Sequence, residues 1–254
     1  MVFSSLVFIY LFLPLTLAGN FLLPRRARNA WLFAASMLFY AWGEAWYSAV
    51  ILASIAINWL LGMLVQATRG DGRRGRWVLA GGVALNLALL VWFKYANFLT
   101  DNLSALAVAL GGERIALDAI HLPIGISFFT FQAISYLVDI HRGDVKAERS
   151  PVAFGMYKSL FPQLIAGPIV RYRDVAADIP DRRVSAEDFA AGVTRFVVGL
   201  GKKVLIANTV AAPADHVFGL SGVDLTAGLA WYGVACYALQ IYFDFSGYSD
   251  MAIG

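Results

Sequence analysis

Apolar residues in this chain gather into long uninterrupted runs, at 1–23, 29–43, 46–66, 77–98, 122–140, 189–211 and 227–245, with short polar connections between them. Most of the runs approach the ~20 residues that a helix needs to cross a bilayer. Each is read as one membrane helix. The first could pass for a secretory signal peptide, but no lysine or arginine precedes it and further apolar runs follow, so it is read as the first span. The run 29–43 is short, and becomes a span if Trp42, Gly43, Glu44 and Trp46 form a turn at the interface, where tryptophan is favoured.

The cations between the runs set an orientation. Arg25, Arg26 and Arg28 fall in the first connection and Arg69, Arg73, Arg74 and Arg76 in the third. The second connection, around Glu44, has none, and the fourth has only Arg114 beside Asp101, Glu113 and Asp118. Lysine and arginine accumulate on the cytoplasmic side, so the first and third connections are expected inside and the N-terminus outside. The run 122–140 then leads inward to Arg142, Lys146 and Arg149, yet the next polar stretch, with Arg171, Arg173, Arg182 and Arg183, is basic as well. Residues 151–170 should therefore not cross. They are interrupted by Pro162, Gly167 and Pro168, which suits a broken or re-entrant element covered by protein or lining a cavity. With no repeat, low-complexity tract or soluble segment, residues 1–254 are expected to be a single multi-pass, all-α membrane domain.

Composition agrees with this pattern. In 254 residues, 59% are hydrophobic and 15% charged, and the mean hydropathy is +0.66, more apolar surface than a soluble domain of this length buries. The lipid bilayer is the first partner implied. A sequence pI near 9.0 does not point to nucleic acid, because the basic residues form short clusters and no continuous stripe. The single cysteine, Cys236, excludes an intrachain disulfide and reads as a small buried hydrophobe.

Three segments carry polar groups where a purely structural membrane helix would not place them. Residues 122–142 hold Ser127, Thr130, Gln132, Ser135 and Asp139; interhelical hydrogen bonds account for the serines, and Asp139 is expected at the cytoplasmic interface. In residues 157–173, Lys158 and Gln163 interrupt an apolar stretch that ends on Arg171 and Arg173. Broken elements expose backbone groups that bind anionic or carbonyl-bearing substrates, so Lys158, Arg171 and Arg173 are candidates to hold the phosphates of a donor; anchorage to anionic headgroups is the equally weighted alternative. In residues 231–254, Tyr237, Gln240, Asp244 and Tyr248 share one helical face and Tyr242, Ser246 and Asp250 another. Lipid cannot border both, and acidic groups there mark a pathway, a partner charge or a site. Asp244 is expected to pair with Lys158, Arg195 or Lys202, and to matter more than Asp250. The candidate substrate or tunnel residues are thus Lys158, Gln163, Arg171, Arg173, Gln240, Asp244, Ser246, Tyr248 and Asp250.

Histidine is the usual base at neutral pH, but His121, His141 and His216 all fall at run ends or connections and are read as interfacial. No cluster of histidine, cysteine or carboxylate has metal-ligand spacing. Nor is there a nucleophile elbow or a phosphate-binding glycine loop. No catalytic residue, metal or bound cofactor is assigned.

The stretches LPIGISFFTFQAISYLVDIHRG from Leu122, LFPQLIAGPIVRY from Leu160, KKVLIAN from Lys202 and YALQIYFDFSGYSDMAIG from Tyr237 resemble the membrane-bound O-acyltransferase family. Within it the likeness is greatest to membrane subunits that O-acetylate exported polysaccharides such as alginate, and less to the D-alanine exporters of teichoic acid modification. The resemblance covers essentially the whole chain, in order. It implies a truncated form of that many-helix fold, in which a cytoplasmic thioester, acetyl-CoA or an acyl carrier protein, meets an acceptor from outside through a tunnel. It also implies a periplasmic acetyltransferase partner and an exported polysaccharide as final acceptor. The family's essential histidine, in a Trp-His-Gly context, is expected beyond Gly254, so the 254 residues alone are expected to be inactive. A transporter using the same broken element and acids, and a noncatalytic scaffold, are the rival readings.

Overall fold

The computed structural model describes residues 3–164, 170–222 and 224–254. All regular structure among them is helical. The helices are α1 (Leu13–Leu22), α2 (Arg25–Gly43), α3 (Ser48–Thr68), α4 (Gly72–Ala109), α5 (Ile126–Arg142), α6 (Pro151–Ser159), α7 (Phe161–Leu164), α8 (Tyr172–Val175), α9 (Ala186–Gly201), α10 (Asn208–Phe218) and α11 (Ala227–Ile253). Their described residues form two compact units, one of residues 24–164 and 170–181, the other of residues 3–23, 182–222 and 224–254.

In the first unit α5 packs against α3 and α4, and α6 against α2 and α3. The core is apolar and aromatic, built on Ile51, Val65, Phe129, Tyr136, Leu137 and Phe154. Helices α3 and α4 are long and apolar enough to cross a membrane. The run expected at 29–43 is longer than its apolar part, because α2 takes in the arginines from Arg25 and reaches 19 residues. Arg25 pairs with Asp181 at 3.0 Å, and the Asn29 amide donates to the Ile179 carbonyl at 3.2 Å, so this polar first turn has fixed partners. The turn expected after Gly43 is present at Glu44–Tyr47.

Residues 110–125 form an irregular strap along α4. Asn97 receives the Ile120 N–H (2.9 Å) and donates to the Asp118 carbonyl (3.0 Å), while the Ser104 hydroxyl receives the Ile115 N–H (3.0 Å). Backbone groups without a ladder thus find side-chain partners.

The expected break near Pro162 lies at Leu160, whose ψ of 117° ends α6. Ser150 caps the start of α6, accepting from the Ala153 N–H, and Pro151 occupies its first turn, a position where proline costs no hydrogen bond. The freed Phe161 N–H donates to the fully buried Ser36 hydroxyl of α2 at 3.2 Å, so the break is satisfied internally. Gly167 and Pro168, the other expected breakers, lie outside the described residues.

In the second unit two of the three long runs contain a π-helical segment, Phe8–Phe12 before α1 and Lys202–Ala207 between α9 and α10. Each precedes a proline, Pro14 and Pro213. Proline has no N–H to donate and crowds the carbonyl four residues back; for Pro14 that is Tyr10, inside the widened turn, whereas for Pro213 it is Thr209, within α10 and past the widened turn. Helix α9 opens with a full capping box between Ser185 and Asp188. These hydrogen bonds from Ser185 hold the Asp188 carboxyl below its usual range. Cys236 is buried, as a small apolar residue would be.

Helices α9 and α11 touch through backbone. A Cβ built on Gly199 would fall 2.6 Å from the Gly247 carbonyl oxygen, and one on Gly192 would fall 2.4 Å from that of Gly254. The seven-residue spacing repeats on both helices in opposite directions, so α9 and α11 run antiparallel with small residues at the seam, a common solution where lipid offers no hydrophobic drive.

Candidate functional site

Two polar constellations stand out, one in each unit. In the first unit the connection between α5 and α6 is held rigidly. The Gln66 side-chain amide oxygen receives the Ala147 N–H, the Trp59 indole donates to the Glu148 backbone carbonyl at 3.0 Å, and the Glu148 N–H donates to the Tyr136 hydroxyl at 3.0 Å. The Tyr172 hydroxyl donates to the Glu148 carboxylate at 2.9 Å. Burial, with the Glu148 charge beside it, raises the Tyr172 phenol above its ordinary value, so it remains a donor. Arg173 lies 3.8 Å from Asp144. These contacts bring residues 143–150 and 171–177 together around a cavity of about 730 Å³.

Of the residues expected to bind substrate, Arg173 lines this cavity. Arg171 is exposed just before α8. Gln163 donates to the Tyr157 carbonyl. Lys158 is 0% exposed; its ammonium donates to the Ser54 hydroxyl at 2.6 Å and to the Ser54 carbonyl at 3.2 Å, and lies 5.6 Å from the centre of the Phe129 ring. Ser54 in turn belongs to a polar chain. The Asn58 amide donates to the Ser54 carbonyl (2.9 Å), and Asn58 and Asn86 exchange hydrogen bonds of 3.0 and 2.8 Å. Of the cavity residues, Lys146 and Arg149 had been read only as markers of orientation, and Glu148 had not been singled out. Their signal was a cluster of alternating charge between two aromatic-rich helices.

Two further groups depart from expectation. Asp139, expected at the water interface, is 3% exposed, and its Oδ2 has no partner among the described residues. His121, expected as a plain interfacial residue, places Nε2 3.1 Å from both oxygens of Glu44, which is itself buried and also accepts from the Ile124 N–H.

In the second unit the two stripes of α11 meet the cations of α9 and the π segment. Asp250 accepts from Lys202 at 2.6 Å and from Arg195 at 3.1 Å, and Asp244 lies 2.6 Å from Lys203. The partner of Asp244 is therefore neither Lys158, Arg195 nor Lys202. The widened π turn presents adjacent lysines to carboxylates six positions apart on one helix. Asp250 carries the better-covered carboxylate, its side chain 18% exposed against 45% for Asp244. Tyr248 stacks on Phe3 with ring centres 4.8 Å apart. The Gln240 carbonyl oxygen and the Ser246 hydroxyl are buried without partners among the described residues. Among the described residues no three histidine, cysteine, aspartate or glutamate side chains form a metal-holding group.

The sequence as a whole matches known proteins along its entire length. It is 46% identical to the probable alginate O-acetylase AlgI of Azotobacter vinelandii over 254 residues, all of this chain and 50% of that relative. The chain belongs to the membrane-bound O-acyltransferase family. The peptidoglycan O-acetyltransferase of Helicobacter pylori is 32% identical over the whole chain and 53% of its own length. The teichoic acid D-alanyltransferase of Lacticaseibacillus rhamnosus is 29% identical over 69% of this chain and 49% of its own length. The chain thus spans about half the length of the relatives it matches. No family model matches the chain.

Proposed function

We infer that these 254 residues form the donor-side part of a membrane O-acyltransferase that takes an acetyl group from a cytoplasmic thioester and passes it across the inner membrane to O-acetylate an exported polysaccharide such as alginate. The observation that carries this reading is the 46% identity to a probable alginate O-acetylase without loss of any part of the chain. Acetyl is favoured over D-alanyl because the D-alanyltransferase match is lower in identity and covers less of the chain.

The geometry supports the same reading. Helix α6 has nine residues, about 13 Å of rise, well short of the ~30 Å of hydrocarbon. The connection before it and the segment after the break sit side by side through Tyr172 and Glu148. An element that enters and returns on one side accounts for both, and for basic residues on both flanks. That face is cytoplasmic by the cation rule, and the N-terminus periplasmic. A periplasmic acetyltransferase partner then completes transfer to the polymer. None of His121, His141 and His216 is given the role of base.

A chimaera tests this. In a strain lacking its own alginate O-acetylase, these residues would replace the matching half of the Azotobacter relative, and O-acetyl esters on secreted alginate would be measured. Restored acetylation is expected. A chimaera inserted at normal level that leaves the polymer unacetylated overturns the reading.

A further inference from the structure

We propose that His121 and Glu44 form a proton-sensitive clasp, which grips the end of the strap 110–125 in mildly acidic surroundings and releases it as pH rises. The proposal goes beyond the acyltransferase reading and does not depend on it. The two residues come from separate connections, 77 positions apart. Both connections lie on the face that the cation rule puts outside, where the surroundings rather than the cell set the pH.

Glu44 creates the demand for a cation. Its carboxylate belongs to a residue only 6% exposed, and a buried anion is costly without an opposite charge or a full set of donors. One neutral donor reaches it, the Ile124 N–H at 3.3 Å, and no lysine or arginine pairs with it among the described residues. The remaining partner is the His121 ring, whose Nε2 lies 3.1 Å from both carboxylate oxygens. A neutral imidazole offers them at most one N–H and no charge, whereas a protonated one supplies both. The charge attraction exists only while the ring is protonated, so the grip on the strap weakens as pH rises through the range in which histidine loses its proton.

The strap's contacts along α4 carry no charge. Ser104 holds the Ile115 N–H through a hydroxyl, and Asn97 holds Ile120 and Asp118 through an amide. Around the ring, Tyr47 stacks on His121 with centres 4.7 Å apart, and Phe93 of α4 meets Tyr47 edge-on at 6.2 Å. Beside Phe93, the Lys94 ammonium lies 5.5 Å from the centre of the Tyr95 ring. Lys94, and Glu113, Arg114 and Asp118 of the strap, form no ion pair among the described residues. Glu44 is thus the charged group within hydrogen-bond reach of His121.

Release acts on the start of α5. With the clasp closed, both backbone groups of Ile124 are held, the N–H by Glu44 and the carbonyl by the Tyr40 hydroxyl of α2 at 3.1 Å. Gly125 follows with a φ of 77° and opens α5, a conformation that glycine adopts without strain and a natural hinge between strap and helix. With the clasp open, Ile124 keeps only the Tyr40 tether, and the first turn of α5 loses one of its two attachments to α2 and the turn after it.

Hydrogen exchange of the purified chain in phosphatidylcholine nanodiscs tests this, with protection of the Ile124 and Ile115 amides measured at pH 5.5 and pH 8 and corrected for the intrinsic change in exchange rate. Ile124 is expected to be better protected at pH 5.5 by about fivefold or more, and Ile115, held by Ser104, equally protected at both. The His121 side chain is 56% exposed, so substitutions there should leave the fold intact. His121→Gln keeps a donor but cannot become charged, and should show low protection of Ile124 at both pH values. His121→Lys stays charged, and should show high protection at both. A smaller change at Ile124 in the parent, a change of equal size at Ile115, or a Gln or Lys variant that keeps the parent's pH dependence overturns the proposal. Each of those outcomes leaves the acyltransferase reading untouched, because no donor or acceptor enters the measurement.

Discussion

The Cβ that Gly199 lacks would fall 2.6 Å from the Gly247 carbonyl oxygen, and the one that Gly247 lacks would fall 2.8 Å from that of Gly199. The two backbones exclude any side chain between them, and neither obstacle is a flexible side-chain end. Gly199→Ala must push α9 away from α11, at about 1–3 kcal/mol, the range for overpacking a fitted contact. Gly201→Ala serves as the control, since nothing lies within 4 Å of its Cβ position. Thermal unfolding in lipid should show Gly199→Ala well below the parent and Gly201→Ala unchanged; equal midpoints for the two would refute the backbone seam.

The same helix pair predicts a ranking of carboxylates. Asp250 neutralises both Arg195 and Lys202, whereas Asp244 meets only Lys203 at a more open position. Asp250→Asn leaves two cations short of an anion in a membrane protein, where breaking a covered pair is costlier than its formation was favourable. Asp244→Asn loses a pair of the exposed kind, worth about 0–1 kcal/mol. Denaturant titration should place Asp250→Asn as the less stable protein. The reverse order would mean that the salt bridges do not hold α9 to α11.

How far the sequence carried this reading differs between the two units. Helix positions followed from apolar runs because burial in lipid demands them, and α2 outran its apolar part because Arg25 and Asn29 found partners at Asp181 and Ile179. Helical spacing placed Asp244 and Asp250 on separate stripes, but could not foresee that the π turn at Lys202–Ala207 shifts which lysine meets which carboxylate. Lys158 was legible as an intramembrane charge. Its burial against Ser54 was not, because that depends on how α6 lies across α3. The cavity was least legible: its residues come from 66, 144–149 and 172–177, and only the backbone bonds of the α5–α6 connection bring them together.

Ser54 and Lys158 should behave as a unit. Ser54→Ala removes the hydroxyl 2.6 Å from the Lys158 ammonium and leaves that wholly buried group only the Ser54 carbonyl at 3.2 Å, a loss of about 1–3 kcal/mol. Lys158→Met keeps the volume and removes the demand for a partner. Once methionine is in place, Ser54→Ala should cost little more, so the double variant should be more stable than the sum of the single losses predicts, by about 1 kcal/mol or more. Strict additivity in a double-mutant cycle would show that the contact contributes nothing.

The Tyr172–Glu148 hydrogen bond predicts an alkaline weakness. The folded state raises the Tyr172 phenol above its ordinary value, chiefly through burial and then through the Glu148 carboxylate that accepts its proton. Between its unfolded and folded values the folded chain keeps a proton that the unfolded chain releases, so stability falls as pH rises. The contribution is complete below about pH 10, the free phenol's value, and declines as pH climbs toward the folded one. Tyr172→Phe should lower stability at pH 7 by about 0.5–1.5 kcal/mol through the lost hydrogen bond, yet flatten the decline above pH 10 relative to the parent, because one titrating group is gone. Unfolding free energy measured at intervals from pH 7 to pH 11 would display both effects. A Phe variant whose alkaline slope equals the parent's would show that Tyr172 ionises in the folded protein as readily as in the unfolded one, and that the phenol–carboxylate contact does not lock α8 to the α5–α6 connection.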